Sequence, residues 1–263
     1  MTKELVVQND SQLSQSVEDE LNRLVARYRA AGGLGFELLN LLGGQIENVF
    51  DKLPHNIRDN LEGTTEKALT ASMKLAHGSR GVVGDKIGWL NSAVAGALGA
   101  AGGLGGTPTA LAELPVTTTL LLRAIQGEAV KLGFDPASES VQFDCIQVFG
   151  AAGPLARDDG ADTAFFGARL ALTSGSMQAL IAKVAPKLAV VLGQKVAAQA
   201  VPVVGAVTGA AVNYAYLTYY QEIAHVHFGL RKLAVDSGVP HDALVSDLKS
   251  RMATRKVSHH TAQ

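Results

Sequence analysis

The sequence predicts an all-α protein, a single compact bundle of roughly eight to ten helices around a glycine-rich apolar central hairpin. No stretch alternates apolar and polar residues with enrichment in β-branched residues, as a half-buried strand would require. Apolar residues instead recur at helical spacing along most of the 263 residues. Two passages of 26 residues each, Ile87–Ala112 and Val196–Gln221, contain no charged residue and form the predicted hairpin.

The N-terminal part is predicted to be a flexible tail over residues 1–12 followed by amphipathic helices. The helix Ser14–Arg29 has an acidic start and an arginine-rich end, which suits the helix dipole. Gly32 and Gly33 predict a break after it. Further helical patterns before the first uncharged passage cover residues 36–53, 56–61 and 64–78.

The clearest single helix is predicted between Leu114 and Leu132. Pro115 has the fixed φ that suits a first turn, and Gly133 is a suitable stop. After it, helical patterns cover residues 138–149, 161–171, 174–185, which Pro186 ends, and 188–200. We expect one domain over residues 13–252 and a flexible C-terminal tail over residues 253–263.

Glycines in the two uncharged passages are spaced for close helix packing. Gly205 and Gly209 fall four residues apart on one face, and Gly99 and Gly103 have the same spacing in the first passage. Small residues at this spacing let two helix backbones approach closely. We therefore predict that the two passages pack on each other.

Uncharged runs of this length also raise the question of a membrane span. The first passage, however, contains seven glycines and Pro108, and the second contains Gln199 and Asn213. Leu, Ile and Phe, which drive insertion most strongly, are few. Three arrangements stay open: a hairpin buried in the bundle, a hairpin that engages a bilayer, and a spanning hairpin.

The composition narrows the class of partner and the compartment. Charged residues make up 18% of the chain and the net charge is −1, so we expect no nucleic-acid partner, since that binding depends on neutralising phosphates. The only cysteine, Cys145, lies in an apolar context and is predicted to be a buried thiol. The N-terminus lacks the pattern of a signal peptide. We expect a cytoplasmic protein, or one peripheral at the inner face of the membrane.

Several linked motifs carry a family resemblance. ELPVTTTLLLRAIQGEAVKLGFD at Glu113–Asp135 follows the glycine-rich run, and three more motifs follow in order: CIQVFGAAG at Cys145–Gly153, VPVVGAVTGAAVNY at Val201–Tyr214 and HFGLRKLAVDSG at His227–Gly238. With these, the chain resembles the EcsC family of bacterial proteins over roughly Leu69–Gly238. The family is named after a gene that accompanies an ABC-transporter operon, so the resemblance implies a transporter link but no defined activity.

Common catalytic signatures are absent: G-x-x-x-x-G-K-[ST], H-E-x-x-H, G-x-S-x-G and C-x-x-C. Polar residues do occur in apolar surroundings, where a buried charge needs a partner. We expect Glu113 or Glu222 to pair with Arg123 or Arg231 across helices. The wider polar set also contains Thr117, Thr119, Asp144 and His227; the candidate binding residues are Glu113, Thr118, Arg123, Asn213, His225 and Arg231.

An enzymatic function is the alternative to a purely structural role for these polar residues. Glu222 and His225 have the E-x-x-H spacing of di-iron bundles, but no second copy occurs, and we expect no catalytic residue, metal or cofactor. The alternative is a hydrolase-like or metal-dependent enzyme with a polar pocket around Glu113, Arg123, Asn213 and His225.

The sequence thus favours a non-enzymatic helical protein. It would associate through apolar, glycine-rich helices with a membrane surface, a lipid or a membrane-protein partner. A purely structural oligomer with a large apolar self-interface is a third possibility.

Overall fold

The computed structural model describes residues 2–41, 53, 55–79, 114–151, 153–154, 177–199 and 205–258. Within these ranges the chain forms seven helices and no strand, which confirms the all-α fold class. In chain order the helices are α1 (Thr2–Leu41), α2 (His55–Ser79), α3 (Leu114–Lys131), α4 (Glu139–Val148), α5 (Met177–Gln199), α6 (Gly205–Ser237) and α7 (His241–Ser258).

The described ranges contain seven helices, fewer than the eight to ten predicted for the whole chain, and three predicted interruptions are absent from them. α1 continues through Gly32 and Gly33, α2 continues through Gly63, and α5 continues through Pro186. A glycine costs a helix about 1 kcal/mol and a proline about 3 kcal/mol. Burial of flanking side chains such as Leu188, which is fully buried beside Pro186, offsets costs of this size.

The prediction for α3 is confirmed at its C-terminal end. The helix begins at Leu114 and ends at Lys131, and Gly133 follows with a φ of +89°. The backbone N–H of Phe134 donates to the carbonyl of Ala129 at 2.9 Å, which caps the C-terminal end. A positive φ of this kind favours glycine, so the residue predicted to stop the helix does so.

α6 is the central helix of the described bundle. It packs against α1, α3, α4, α5 and α7 and buries Tyr216, Tyr220 and Phe228 completely. α6 lies close to α1 at Gly229, where a built Cβ would be 2.7 Å from Cδ2 of Leu24. The core therefore surrounds α6 on most of its faces.

The predicted hairpin falls largely outside the described residues. Ile87–Ala112, with Gly99 and Gly103, lies there entirely, so the predicted packing of the two passages stays a prediction. The second passage, Val196–Gln221, includes the last residues of α5 and the first turns of α6, which contain Gly205 and Gly209. None of the helices in the described ranges is both long and apolar enough to cross a membrane.

The chain ends and the cysteine can also be placed. α1 begins at Thr2 and α7 extends to Ser258, so helical structure reaches beyond the predicted domain limits of 13 and 252. Cys145 lies on α4 and is fully buried, which confirms the predicted buried thiol.

Candidate functional site

Polar residues of α6 contact charged residues on three other helices. Glu222 accepts a hydrogen bond from Arg27 of α1 at 2.9 Å. The predicted pairing of Glu222 with Arg123 or Arg231 is therefore wrong, because α1 packs along α6 and supplies the cation. The other polar residues of α6 that contact a carboxylate of another described helix are His225, which reaches α3, and His227 and Arg231, which reach α4.

Glu128 lies at the contact between α3 and α6. Its Oε2 atom is 3.0 Å from Nδ1 of His225, and its Oε1 atom accepts a hydrogen bond from Nζ of Lys131 at 2.6 Å. Only 8% of the Glu128 side chain is exposed. Burial raises the pKa of Glu128, but the hydrogen bonds and charges of His225 and Lys131 outweigh it and leave the pKa below its ordinary value. The carboxylate is therefore held ionised between two partners.

Asp144 lies at the contact between α4 and α6. Its Oδ2 atom accepts a hydrogen bond from Arg231, and its Oδ1 atom is 3.4 Å from Nε2 of His227. Burial raises the pKa of Asp144. The hydrogen bonds and charges of His227 and Arg231 lower it by more than burial raises it, so the pKa lies below its ordinary value. Because His227 and Arg231 are four residues apart on a helix, both reach the same carboxylate.

Arg231 has further contacts that fix its position. It donates a hydrogen bond to Oγ of Ser140 at 3.2 Å, and its guanidinium carbon lies 4.7 Å from the ring centre of Phe134. The Phe134 ring in turn packs on Phe228, with ring centres 5.6 Å apart. A guanidinium over an aromatic face is stabilised by the ring quadrupole. Arg231 therefore ties α6 to α4 and to the loop that precedes it.

The structure places five of the six candidate binding residues on two helices that pack together. Thr118 is fully buried and its hydroxyl donates to the carbonyl of Leu114 at 2.7 Å, within its own helix. Arg123 and Asn213 are also buried. Glu113 lies outside the described residues. The five are Thr118 and Arg123 on α3, and Asn213, His225 and Arg231 on α6.

Among the residues whose burial the structure describes, two buried charged residues are absent from the sequence-based set. Glu128 is one, although it lies three residues beyond Ile125 on the predicted apolar face of α3, a spacing that marks a side chain on the buried face. Lys195 of α5 is the other and is completely buried. In the sequence, Lys195 can be recognised as a single charged residue between the apolar pattern of α5 and the second uncharged passage.

The two carboxylate clusters have the geometry of ion pairs between helices. A general base works best with a pKa near the working pH, and both Glu128 and Asp144 have pKa values below their ordinary range. Each carboxylate instead accepts from a histidine and a fully cationic side chain. Pairs of this kind join helices of distant sequence and fix their relative register.

The two residues of the possible metal motif, Glu222 and His225, contact different helices. Glu222 contacts α1 whereas His225 contacts α3, so the two side chains turn to different neighbours. Within the described ranges, no three His, Cys, Asp or Glu side chains gather in a group that could hold a metal ion.

Comparison with known proteins identifies a family. The chain matches the EcsC protein family over residues 45–233. No curated protein and no solved structure matches it. The matched range contains α2 to α5, most of α6 and both carboxylate clusters. Because the match spans most of the chain, the protein belongs to the EcsC protein family.

Proposed function

We propose that this EcsC-family protein is non-enzymatic and associates through its apolar, glycine-rich segments with a membrane surface, a lipid or a membrane-protein partner. The observation that supports the proposal most is the passage Ile87–Ala112, with 26 uncharged residues in a chain of 18% charged residues. Apolar surface of this extent gains free energy wherever it leaves water, at about 25 cal/mol per Å². A lipid or an apolar partner surface provides such an environment.

The described helices hold both flanks of this passage together. Near the C-terminal part of α2, Oγ of Ser72 donates to the carbonyl of Pro115 at 3.3 Å and accepts from Oγ1 of Thr119 at 3.0 Å. Pro115 and Thr119 belong to the first turns of α3, so hydroxyl groups join the two helices that precede and follow residues 80–113. The proposed contact segment is therefore attached to two helices that pack side by side.

The charged residues of the bundle support a structural role over catalysis. Glu128, Asp144 and Glu222 each accept from a basic side chain of another helix or the same helix. The enzymatic alternative requires a pocket around Glu113, Arg123, Asn213 and His225, and His225 is engaged with a carboxylate of lowered pKa. We therefore place the enzymatic role second.

The single tryptophan gives a direct test, because Trp89 lies inside the uncharged passage. The purified protein is mixed with phosphatidylcholine vesicles, with and without phosphatidylglycerol, and the emission of Trp89 is recorded. We expect a blue shift, quenching by brominated lipid and co-sedimentation that persists in high salt. A protein that is monodisperse without detergent, sediments with no vesicle and shows unchanged emission contradicts the proposal.

Two single-charge variants localise the contact. Leu98→Asp places a charge in the uncharged passage and should weaken vesicle binding by roughly tenfold or more, the equivalent of losing one buried leucine. Val235→Asp is the matched control, since Val235 is 73% exposed near the end of α6. Equal loss of binding in both variants indicates a general charge effect and contradicts a contact through Ile87–Ala112.

A further inference from the structure

Charged residues are distributed unevenly along the axis of the described bundle. α3 carries none from Leu114 to Leu122, and α6 carries none from Gly205 to Gln221. α5 carries one from Leu188 to Gln199, and this residue, Lys195, is completely buried. These three segments therefore expose no charge of their own, and the contacts between helices decide whether they lie together.

The pairing of α5 with α6 brings two of these segments together. The hydroxyl of Tyr216 donates to the carbonyl of Val191 at 3.2 Å. α5 ends at Gln199 and α6 begins at Gly205, and a connection this short joins two antiparallel helices. The last turns of α5 therefore lie beside the first turns of α6.

α3 adds the third segment, because it runs in the same direction as α6. Oε2 of Glu128 lies 3.0 Å from Nδ1 of His225. Farther along both helices, Phe134 packs on Phe228, with ring centres 5.6 Å apart. Since the residue numbers rise together, the first turns of α3 and α6 point to the same end of the bundle. We call it the charge-poor end; it consists of Leu114–Leu122, Leu188–Gln199 and Gly205–Gln221.

α1 and α2 also finish on this side. Leu24 of α1 lies against Gly229 of α6. Farther along α1, Arg27 pairs with Glu222, which precedes Gly229, so α1 runs antiparallel to α6. Ser72, near the C-terminal end of α2, donates to the first turn of α3. The last turns of these two helices, residues 30–41 and 68–79, contribute two charged residues, Glu37 and Lys74.

The opposite end of the bundle is rich in charge. The carboxylate contacts of His225 and Arg231 lie there, together with the exposed pair formed by Lys232 and Asp236. Moving an ionised group out of water is costly, so this end is suited to water. The charge-poor end can leave water at a much lower cost, and the bundle is therefore polarised along its axis.

Apolar side chains are exposed at the charge-poor end. The exposed fractions of Val116, Val190 and Tyr214 are 46%, 45% and 53%. Tyrosine is enriched at membrane–water interfaces, where its ring lies in apolar surroundings and its hydroxyl in water. α2 ends at Ser79 and α3 begins at Leu114, so residues 80–113 also leave and rejoin the bundle here.

We propose that the charge-poor end docks on a phospholipid bilayer, with Tyr214 at the level of the headgroups and the charged end directed to water. This inference rests on the proposed function and adds the surface that meets the membrane. The three exposed side chains belong to three different helices, so they suit a planar surface that meets the whole end better than a groove for one partner helix. Apolar contact does not depend on headgroup charge, so neutral lipid is sufficient.

The test places a nitrobenzoxadiazole fluorophore on single added cysteines. Val116→Cys and Tyr214→Cys put the probe at the charge-poor end. The matched controls, Val130→Cys and Val235→Cys, use exposed valines of the same two helices near the opposite end. Each labelled protein is mixed with phosphatidylcholine vesicles, with and without phosphatidylglycerol or brominated lipid; co-sedimentation measures binding and circular dichroism checks folding. The unaltered protein, whose Cys145 is fully buried, gives the background labelling.

We expect the probes at positions 116 and 214 to shift to the blue on binding and to be quenched by brominated lipid, while the control probes stay unchanged. Binding should be as tight to neutral as to anionic vesicles and should persist in high salt. Vesicle binding with equal or stronger quenching of the control probes, or with no quenching at either end, overturns the inference and leaves the proposed function standing. Binding that requires phosphatidylglycerol or is lost in high salt also overturns the inference. No binding to any vesicle overturns both.

Discussion

The close approach of α1 and α6 gives a quantitative prediction at Gly229. An added methyl group would lie 2.7 Å from Cδ2 of Leu24, well inside ordinary contact, and Leu24 is fully buried. Alanine in a helix gains about 1 kcal/mol over glycine, whereas overpacking a core costs about 1–3 kcal/mol. Gly229→Ala should therefore lower the free energy of unfolding by up to about 2 kcal/mol.

Gly127 of α3 is the matched control for this substitution. A Cβ built on Gly127 meets no atom within 4 Å, so Gly127→Ala should gain the full helix preference of about 1 kcal/mol. The two alanine variants should differ by about 1–3 kcal/mol, or several degrees in Tm for a chain of this length. Urea denaturation followed by circular dichroism measures the difference.

A double-mutant cycle separates the clash from other effects. In a Leu24→Ala background the new methyl group at Gly229 meets open space, so Gly229→Ala should become neutral or stabilising. The coupling between the two positions should then reach about 1–3 kcal/mol. If Gly229→Ala is as stable as Gly127→Ala, or if its cost is the same with and without Leu24, the packing argument is wrong.

Three further predictions concern the polar contacts. Asp144→Asn should lower the free energy of unfolding by about 1–3 kcal/mol, because Arg231 loses its carboxylate, and adding Arg231→Met should recover part of that loss in urea denaturation. Acid should also destabilise the protein, because folding lowers the pKa values of Glu128 and Asp144 from their ordinary 4.5 and 3.8. The stability that these two carboxylates contribute is complete above the ordinary pKa values and is lost as the pH falls through the lower pKa values of the folded state. Unfolding measured from neutral pH to pH 3 should show this loss, and Glu128→Gln with Asp144→Asn should flatten it. Tyr216→Phe should cost about 1 kcal/mol, because the buried hydroxyl donates to the carbonyl of Val191 at 3.2 Å; an unchanged unfolding midpoint would count against that bond.

Local pattern was sufficient for the helical class and for the C-terminal limit of α3. The apolar face from Leu114 to Ile125 sets that helix, and Gly133 ends it by adopting a positive φ that other residues avoid. The linked motifs were likewise sufficient for the EcsC family. These features depend on residues close together in the chain, so a sequence contains their cause directly.

Helix continuity was decided by the tertiary structure. Gly32, Gly33 and Pro186 each favour a break when judged from their own helix, yet α1 and α5 continue through them. The local penalty is a few kcal/mol, and burial of neighbours such as Ala31 and Leu188 is of the same size or larger. Which term wins depends on what packs against the helix, and the sequence pattern alone does not include that contact.

Partner choice among the charged residues was decided in the same way. The sequence identified His225 and Arg231 as polar residues in apolar surroundings, but it did not assign Glu128 and Asp144 as their partners, and it paired Glu222 with the wrong cation. Arg27 and Glu222 are separated by 195 positions, and many arginines and glutamates are equally available by composition. Only the packing of α1, α3 and α4 around α6 selects the pairs, because an ion pair forms only when its two charged groups are close together. Helical spacing fixes that distance within one helix, whereas tertiary structure fixes it between two helices.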